Sequence, residues 1–190
     1  MAENQKIQQI DCTKVPEPTL RRLPWYLSNV KLLKQRGERF VSSTQISKEI
    51  NIDASQIAKD LSYVNISGRT RVGYEVDALI EVLEYFLGFT EIHKAFLFGV
   101  GSLGGALLQD SGLKHFGLEI VAAFDVDPTL VGTNLNGIPI YHSDDFLKKM
   151  EEYDVQIGVL TVPIEIAQCI TDMMVDGGIK AVWNFTPFRF

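Results

Sequence analysis

The chain has 190 residues, 46% of them hydrophobic and 22% charged, with a net charge of -6 at pH 7. That composition is that of an ordinary globular protein with one substantial core or two small ones, and it excludes a chain dominated by disorder. Apolar stretches are short and broken by charge or glycine, and Met1 is followed by Ala-Glu-Asn-Gln-Lys rather than by a basic segment and an apolar run. The expectation is a soluble, unprocessed, cytoplasmic protein with no membrane partner. Cys12 and Cys169 lie far apart without metal-binding spacing and read as free thiols in a reducing compartment, so no metal site is expected.

The net charge conceals two opposite halves. Residues 1–74 hold 12 Lys+Arg against 7 Asp+Glu, net +5, whereas residues 75–190 hold 6 against 17, net -11. Phosphate neutralisation drives sequence-independent DNA affinity, so only the front half is a plausible DNA surface.

Residues 1–17 lack sustained periodicity and include Pro16, so they read as an arm of low order. From Pro18 to Gln35, Leu20, Leu23, Leu27, Val30 and Leu33 recur at helical spacing, with Gly37 as the stop and Pro24 expected to kink or divide the helix. Ser42 with Gln45 forms a capping box for a short helix that buries Ile46 and Ile50. After a turn at residues 51–53, Asp53 caps a third helix running to Tyr63 and burying Ile57 and Leu61.

Two short helices about a tight turn, the second carrying Ser55, Gln56, Lys59, Ser62 and Tyr63, suit a helix-turn-helix whose second helix enters the major groove. Asn65 to Val76 reads as a hairpin turning at Gly68, a wing whose Arg69 and Arg71 reach the DNA backbone or minor groove. Asp77 then caps a helix with a broad apolar stripe ending near Gly88, which connects two domains.

Lys94 to Phe98 is a nearly continuous apolar run of the kind that forms a buried parallel strand, and Gly99-Val100-Gly101-Ser102-Leu103-Gly104 follows at once. In this GxGxxG the first glycine permits the tight turn, the second lets backbone approach a pyrophosphate, and the third lets the next helix pack on the sheet. A second strand, Glu119 to Phe124, ends in Asp125, placed to accept hydrogen bonds from the adenosine ribose and to repel a 2'-phosphate. NAD is therefore expected rather than NADP. The alternation continues with a strand at Ile138 to His142, a helix at Asp144 to Met150, a strand at Gln156 to Thr161, a helix beginning at Pro163, and a last strand from Lys180 to Phe185. The fold class is α/β: a winged helix-turn-helix domain, then a doubly wound Rossmann domain whose cleft Thr161, Val162 and Asn184 border.

No general acid or base is evident for hydride transfer, and His93, His115 and His142 read as surface or structural residues, so catalysis is not expected. Two alternatives stay open on the residues alone: an NAD-dependent oxidoreductase with an N-terminal accessory domain, and a nucleotide-binding interaction module without DNA.

The segments TLRRLP from Thr19, RFVSS from Arg39, KDLSY from Lys59, GVGSLG from Gly99, IVAAFDVDP from Ile120, GIPIYH from Gly137 and IGVLTVP from Ile157, in that order, resemble the Rex family of bacterial redox-sensing repressors. The resemblance implies a homodimeric repressor that binds an inverted-repeat operator as double-stranded DNA, is released by NADH, and so reports the NADH/NAD+ ratio. It implies a DNA-binding domain with linker helix over 18–88 and an NAD(H)-binding domain over 89–190. The cofactor residues would be Gly99 to Gly104, Asp125, Val126, Thr161, Val162, Pro163 and Asn184. The DNA residues would be Arg21, Arg22, Ser43, Ser55, Gln56, Lys59, Ser62, Tyr63, Arg69 and Arg71. Three departures stand out: Ala58 where relatives commonly carry arginine, Asp110 where a tyrosine implicated in the redox response is usual, and an end at Phe190 where relatives continue into a helix exchanged between subunits.

Overall fold

The computed structural model describes residues 14–189. The chain divides into two compact units, the division falling between Thr90 and Glu91.

In the first unit, α1 (Glu17–Gln35) is a single helix that starts within the expected arm. Of that arm, residues 1–13, Cys12 among them, lie outside the described residues, while Val15 is buried and Pro16 is the N-cap. Pro24 does not divide α1. Its ring removes one hydrogen bond, at the Leu20 carbonyl, but Leu23, Tyr26, Leu27, Val30 and Leu33 form an unbroken buried stripe across it. Helix α1 closes on Gly37, whose φ of 87° lets Gly37 N–H bond to Lys34 and Glu38 N–H to Leu33 in the 5→2 and 6→1 pattern. On the solvent side Trp25 is exposed.

Strand β1 (Phe40–Val41) precedes α2 (Ser43–Ile50), capped by Ser42 Oγ accepting from Gln45 N–H at 3.1 Å. Asn51 in the left-handed region (φ 57°) turns the chain into α3 (Ala54–Tyr63), and Asp53 accepts from the N–H groups of Ser55 (2.8 Å) and Gln56 (3.4 Å). Ile57, Asp60 and Leu61 are its buried residues.

The wing differs from the expected hairpin. Gly68 does not supply the turn: it packs on the Tyr74 ring, and a Cβ there would stand 3.2 Å from it. The turn lies at residues 70–72, closed by Arg69 N–H to Gly73 O (2.8 Å) and Gly73 N–H to Arg69 O (2.9 Å), with Arg71 at φ 64°. The returning strand β2 (Tyr74–Glu75) pairs antiparallel with β1, so the wing is stitched to the segment before α2 rather than to residues 65–68. Val76, expected to end the hairpin, begins α4 (Val76–Phe86), with Glu75 as N-cap, so Asp77 sits in the first turn instead of capping it. There its negative charge still complements the helix dipole. The core of this unit joins α1, α3 and α4 around Leu23, Tyr26, Ile57, Leu61, Leu79 and Leu83. It is a winged helix-turn-helix.

The second unit is a six-stranded sheet in the order β5-β6-β4-β3-β7-β8. Its elements are β3 (His93–Phe98), α5 (Ser102–Gln109), β4 (Leu118–Asp125), β5 (Asn134–Leu135), β6 (Ile138–His142), α6 (Phe146–Glu152), β7 (Ile157–Leu160), α7 (Ile164–Asp176) and β8 (Ala181–Asn184). All neighbours pair in parallel except β5 with β6. The expected helix at Asp144 begins two residues later, after a 3-10 turn at Ser143–Asp145.

The apolar run of β3 serves two cores at once, because successive side chains point to opposite faces. Phe96 and Phe98 meet Phe124 and Phe146 on one face, with ring centroids 5.1 to 6.2 Å apart, while Ala95 and Leu97 meet Leu108, Ile140 and Val159 on the other. The short antiparallel β5 was not anticipated, although Asn136-Gly137 (φ 54° and 85°) has the residues and the dihedrals of a two-residue hairpin turn. At the opposite edge, Trp183 stands 4.6 Å from Phe185. Among the described residues no helix is long and apolar enough to cross a membrane.

Candidate functional site

The second unit gathers its candidate residues where the strand order reverses. From β3 the chain runs to β4 and β6 on one side and then to β7 on the other, which opens a crevice at the carboxyl ends of β3 and β7. The glycine loop lies there, directly after β3. Gly99 sits at φ 92°, a conformation L side chains rarely adopt, and a Cβ on it would stand 2.9 Å from Thr161 O and Val162 Cγ1. A Cβ on Gly104 would overlap the Gly99 carbonyl oxygen and stand 3.0 Å from Thr161 Oγ1. Thr161 completes the knot: its hydroxyl lies 2.7 Å from Gly99 O and 2.9 Å from Phe98 O, while its N–H donates to Phe98 O. Thr161 is thus tied to the glycine loop, half-buried beside Val162 and followed by exposed Pro163.

Gly101 differs from its neighbours, since a Cβ there would meet nothing within 4 Å. It is the N-cap of α5 and offers no side chain to the helix start, so the first N–H groups of Ser102, Leu103 and Gly104 lack intrahelical partners. Open space above an uncapped helix N-terminus, floored by close-packed backbone, fits a pyrophosphate. Asp125, at the end of β4, reaches across to the loop, accepting from Val100 N–H at 2.6 Å through Oδ2 and from Val126 and Asp127 N–H through Oδ1. A carboxylate has about four lone-pair sites, so with three taken capacity remains for a ribose hydroxyl. Val126, next to Asp125, and Leu103, in the first turn of α5, are exposed apolar side chains.

Asn184 ends β8, beyond β7, with both ends of its amide committed locally: Oδ1 accepts from Thr186 N–H and Oγ1, and Nδ2 donates to Phe188 O. His142 pairs in register with Asp125, its Nδ1 facing Asp144 at 3.3 Å, whereas His93 begins β3 at the opposite end of the sheet. Asp110 terminates α5 and accepts from Gly112 N–H. No group of three or more metal-ligating side chains occurs among the described residues. Cys169 is exposed and unpaired by disulfide.

In the first unit, Ser55, Lys59 and Ser62 fall at i, i+4 and i+7 on the exposed face of α3, with Tyr63 half-buried and Ala58 beside them. Ser55 and Ser62 spend their protons nearby, on Asp53 Oδ1 and on Lys59 O, and keep acceptor capacity. Ser43, Arg69 and Arg71 come together: with Ser42, Gly68 and Tyr74 they line a shallow cavity of about 330 Å3 between the α2 N-terminus and the wing. Arg21 is exposed and pairs with Glu17 one turn back, an ion pair worth little in water.

Arg22 and Gln56 behave differently from the other residues expected at DNA. Both are hydrogen-bonded to Asp60, a residue the sequence reading passed over. Arg22 forks onto it (Nε to Oδ2 2.6 Å, Nη2 to Oδ1 2.9 Å) and Gln56 Nε2 donates to Oδ1 at 2.9 Å. Tyr26 OH and Thr19 Oγ1 add bonds of 2.6 and 2.8 Å. Asp60 has no exposed surface. Burial alone pushes its carboxyl up, but the hydrogen bonds from Arg22, Tyr26, Thr19 and Gln56 outweigh that and hold it below the ordinary carboxylate value. The same contacts raise Arg22, and burial with the Asp60 bond raises Tyr26. A signal for this existed: Asp60 lies on the stripe Ile57, Leu61, Val64, where a carboxylate needs buried donors.

Comparison with known proteins covers both units. The family described as CoA binding domain matches residues 90–188, and that described as putative DNA-binding protein N-terminus matches residues 14–62. The redox-sensing transcriptional repressor Rex of Bacteroides fragilis is 87% identical over 189 residues, covering 100% of this chain and 86% of the relative. That of Porphyromonas gingivalis is 63% identical over 177 residues, covering 93% and 81%. Among solved structures, RSP in complex with β-NAD+ and operator DNA has a TM-score of 0.88 at 29% identity, covering 93% of this chain and 81% of that one. RSP in complex with β-NADH gives 0.85 at the same identity, covering 93% and 83%. Identity at this level over 93% or more of the chain means that the chain belongs to the Rex family of redox-sensing transcriptional repressors.

Proposed function

We propose that this chain is a cytoplasmic repressor that binds inverted-repeat operator DNA as a homodimer, is released by NADH, and so reports the NADH/NAD+ ratio. The observation that carries the reading is the glycine loop: open at Gly101, closed at Gly99 and Gly104, and flanked by Asp125, it offers a dinucleotide a backbone cradle in a chain that also carries a helix-turn-helix. The solved neighbour that holds both NAD+ and operator DNA supports coupling of the two activities.

Residues 18–88 are the DNA-binding domain with its linker helix, and residues 89–190 the NAD(H)-binding domain. The pyrophosphate is held by Gly99 to Gly104, the adenosine ribose by Asp125 with Val126 beside it, and the nicotinamide end lies toward Thr161, Val162 and Pro163. Asn184, tied to its own loop, contributes by shaping that edge. On DNA, Ser55, Gln56, Lys59, Ser62 and Tyr63 face the major groove, Ser43 and Arg21 meet backbone, and Arg69 and Arg71 on the wing reach backbone or minor groove. NADH can release DNA only by binding more tightly to the arrangement of the dimer that does not fit the operator. A symmetric dimer in turn requires a near-palindromic site.

The test is fluorescence anisotropy of a labelled inverted repeat, titrated with protein and then with NADH, NAD+ or coenzyme A at fixed salt. Release by NADH alone is the expected result. Absence of DNA binding with NADH still bound would sink the repressor reading, and release by coenzyme A instead would reassign the ligand.

A further inference from the structure

We infer that Asp60 is the positioning residue of the recognition helix, and that Arg22 serves Asp60 as a partner rather than DNA as a phosphate ligand. The inference rests on the DNA-binding reading above and replaces the expectation that Arg22 contacts DNA.

The geometry of α1 carries the argument. Thr19, Arg22 and Tyr26 stand at i, i+3 and i+7, one face of the helix, and all three reach the Asp60 carboxylate with donor distances of 2.6 to 2.9 Å. Both carboxylate oxygens are taken: Oδ1 accepts from Thr19, Arg22 and Gln56, and Oδ2 from Arg22 and Tyr26. Aliphatic side chains of α3 tolerate small rolls and slides, because burial is non-directional. A forked guanidinium with two flanking hydroxyls does not, since each bond fixes an angle as well as a distance. Lys59 lies one residue before Asp60 and Ser62 two after it, so the roll that satisfies the carboxylate also fixes which way these exposed side chains point.

Arg22 is spent in the process. Its side chain is 23% exposed, and a phosphate recruiting it would have to take it from a carboxylate with no exposed surface. Removing one partner of a buried pair leaves an uncompensated charge, so the exchange is unfavourable.

The test uses this chain and anisotropy on an operator duplex and a scrambled duplex across a salt series, with the Arg22→Lys, Arg22→Met, Tyr26→Phe and Asp60→Asn variants. Wild-type operator binding comes first; its absence overturns the DNA-binding reading and the inference with it. Given that binding, Arg22→Lys keeps the charge and loses the fork, so operator affinity falls about tenfold while scrambled-duplex affinity and the salt slope stay at wild-type values. Tyr26→Phe, a single lost hydroxyl in a well-filled site, narrows the operator preference in the same direction. Asp60→Asn makes the basic unit one charge more positive. Electrostatics alone would tighten both duplexes, whereas positioning weakens the operator and spares the scrambled one. Operator affinity retained in both Arg22→Lys and Tyr26→Phe, or a slope shallower by about one in Arg22→Met, would show Arg22 to be an ordinary phosphate contact and overturn the inference.

Discussion

The two units fix their working surfaces by opposite means. In the first, side chains far apart in sequence converge on one buried carboxylate, and the recognition helix takes its orientation from five hydrogen bonds at Asp60. In the second, side chains are excluded: the loop holds its shape because Gly99 and Gly104 leave no room between Thr161 and the main chain. A site fixed by side chains fails on the loss of one donor or acceptor. A site fixed by backbone fails where an added methyl would meet main chain, at Gly99 and Gly104.

The sharpest way to break this contrast is Asp60→Ala. Losing the acceptor leaves the buried hydroxyls of Thr19 and Tyr26 unpaired and costs about 3 kcal/mol, read by hydrogen exchange as lost protection over residues 17–87, with NADH affinity of the second unit retained. The acid limb follows the same group. Because the folded carboxyl lies below its ordinary value of 3.8, its stabilisation is complete above that pH and is lost as pH falls through the lower folded value. Protection of the first unit measured on descending pH should drop in that window, and the drop should disappear in Asp60→Asn.

Next in size is Gly104→Ala, whose methyl would overlap the Gly99 carbonyl and destabilise the second unit by about 3 kcal/mol, abolishing NADH binding in a fluorescence titration. Gly101→Ala separates ligand from fold. With nothing within 4 Å to meet it and an ordinary φ of -71°, the methyl should leave thermal stability within about 0.5 kcal/mol while lowering NADH affinity about thirtyfold, ~2 kcal/mol, by filling the pyrophosphate space. Wild-type affinity in that variant would mean that the phosphates lie elsewhere. The smallest effect is Ser42→Ala, a lost cap worth about 1 kcal/mol, seen as faster exchange at the start of α2 with cofactor binding unaffected.

The contrast also explains what could be read in the sequence. Backbone-determined features announce themselves through residue types with no other use there: GxGxxG after an apolar strand, Asp125 at the end of the next, Asp53 before a helix. The alternation of strands and helices from Lys94 onward follows for the same reason; Asn136-Gly137 carries a hairpin signal for β5 as well, a strand absent from the expected elements. The Asp60 cluster could not be read so directly, since Thr19, Arg22 and Tyr26 meet Asp60 across 34 to 41 residues, and an arginine in a basic half suggests DNA before it suggests a buried carboxylate. The wing was displaced for a related reason. Gly68 has the residue type of a turn, but the tertiary fit against Tyr74 gives it a packing role, and pairing with Phe40 and Val41 moves the reversal to residues 70–72.

The chain has two tryptophans, and the fold deals one to each unit: Trp25 in water on α1, and Trp183 on the edge strand beside Phe185. A reduced nicotinamide absorbs where indole emits and an oxidised one does not. The emission of Trp183, carried by the same unit as the glycine loop, therefore provides a built-in optical gauge of which cofactor form is bound, read most simply in a Trp25→Phe variant.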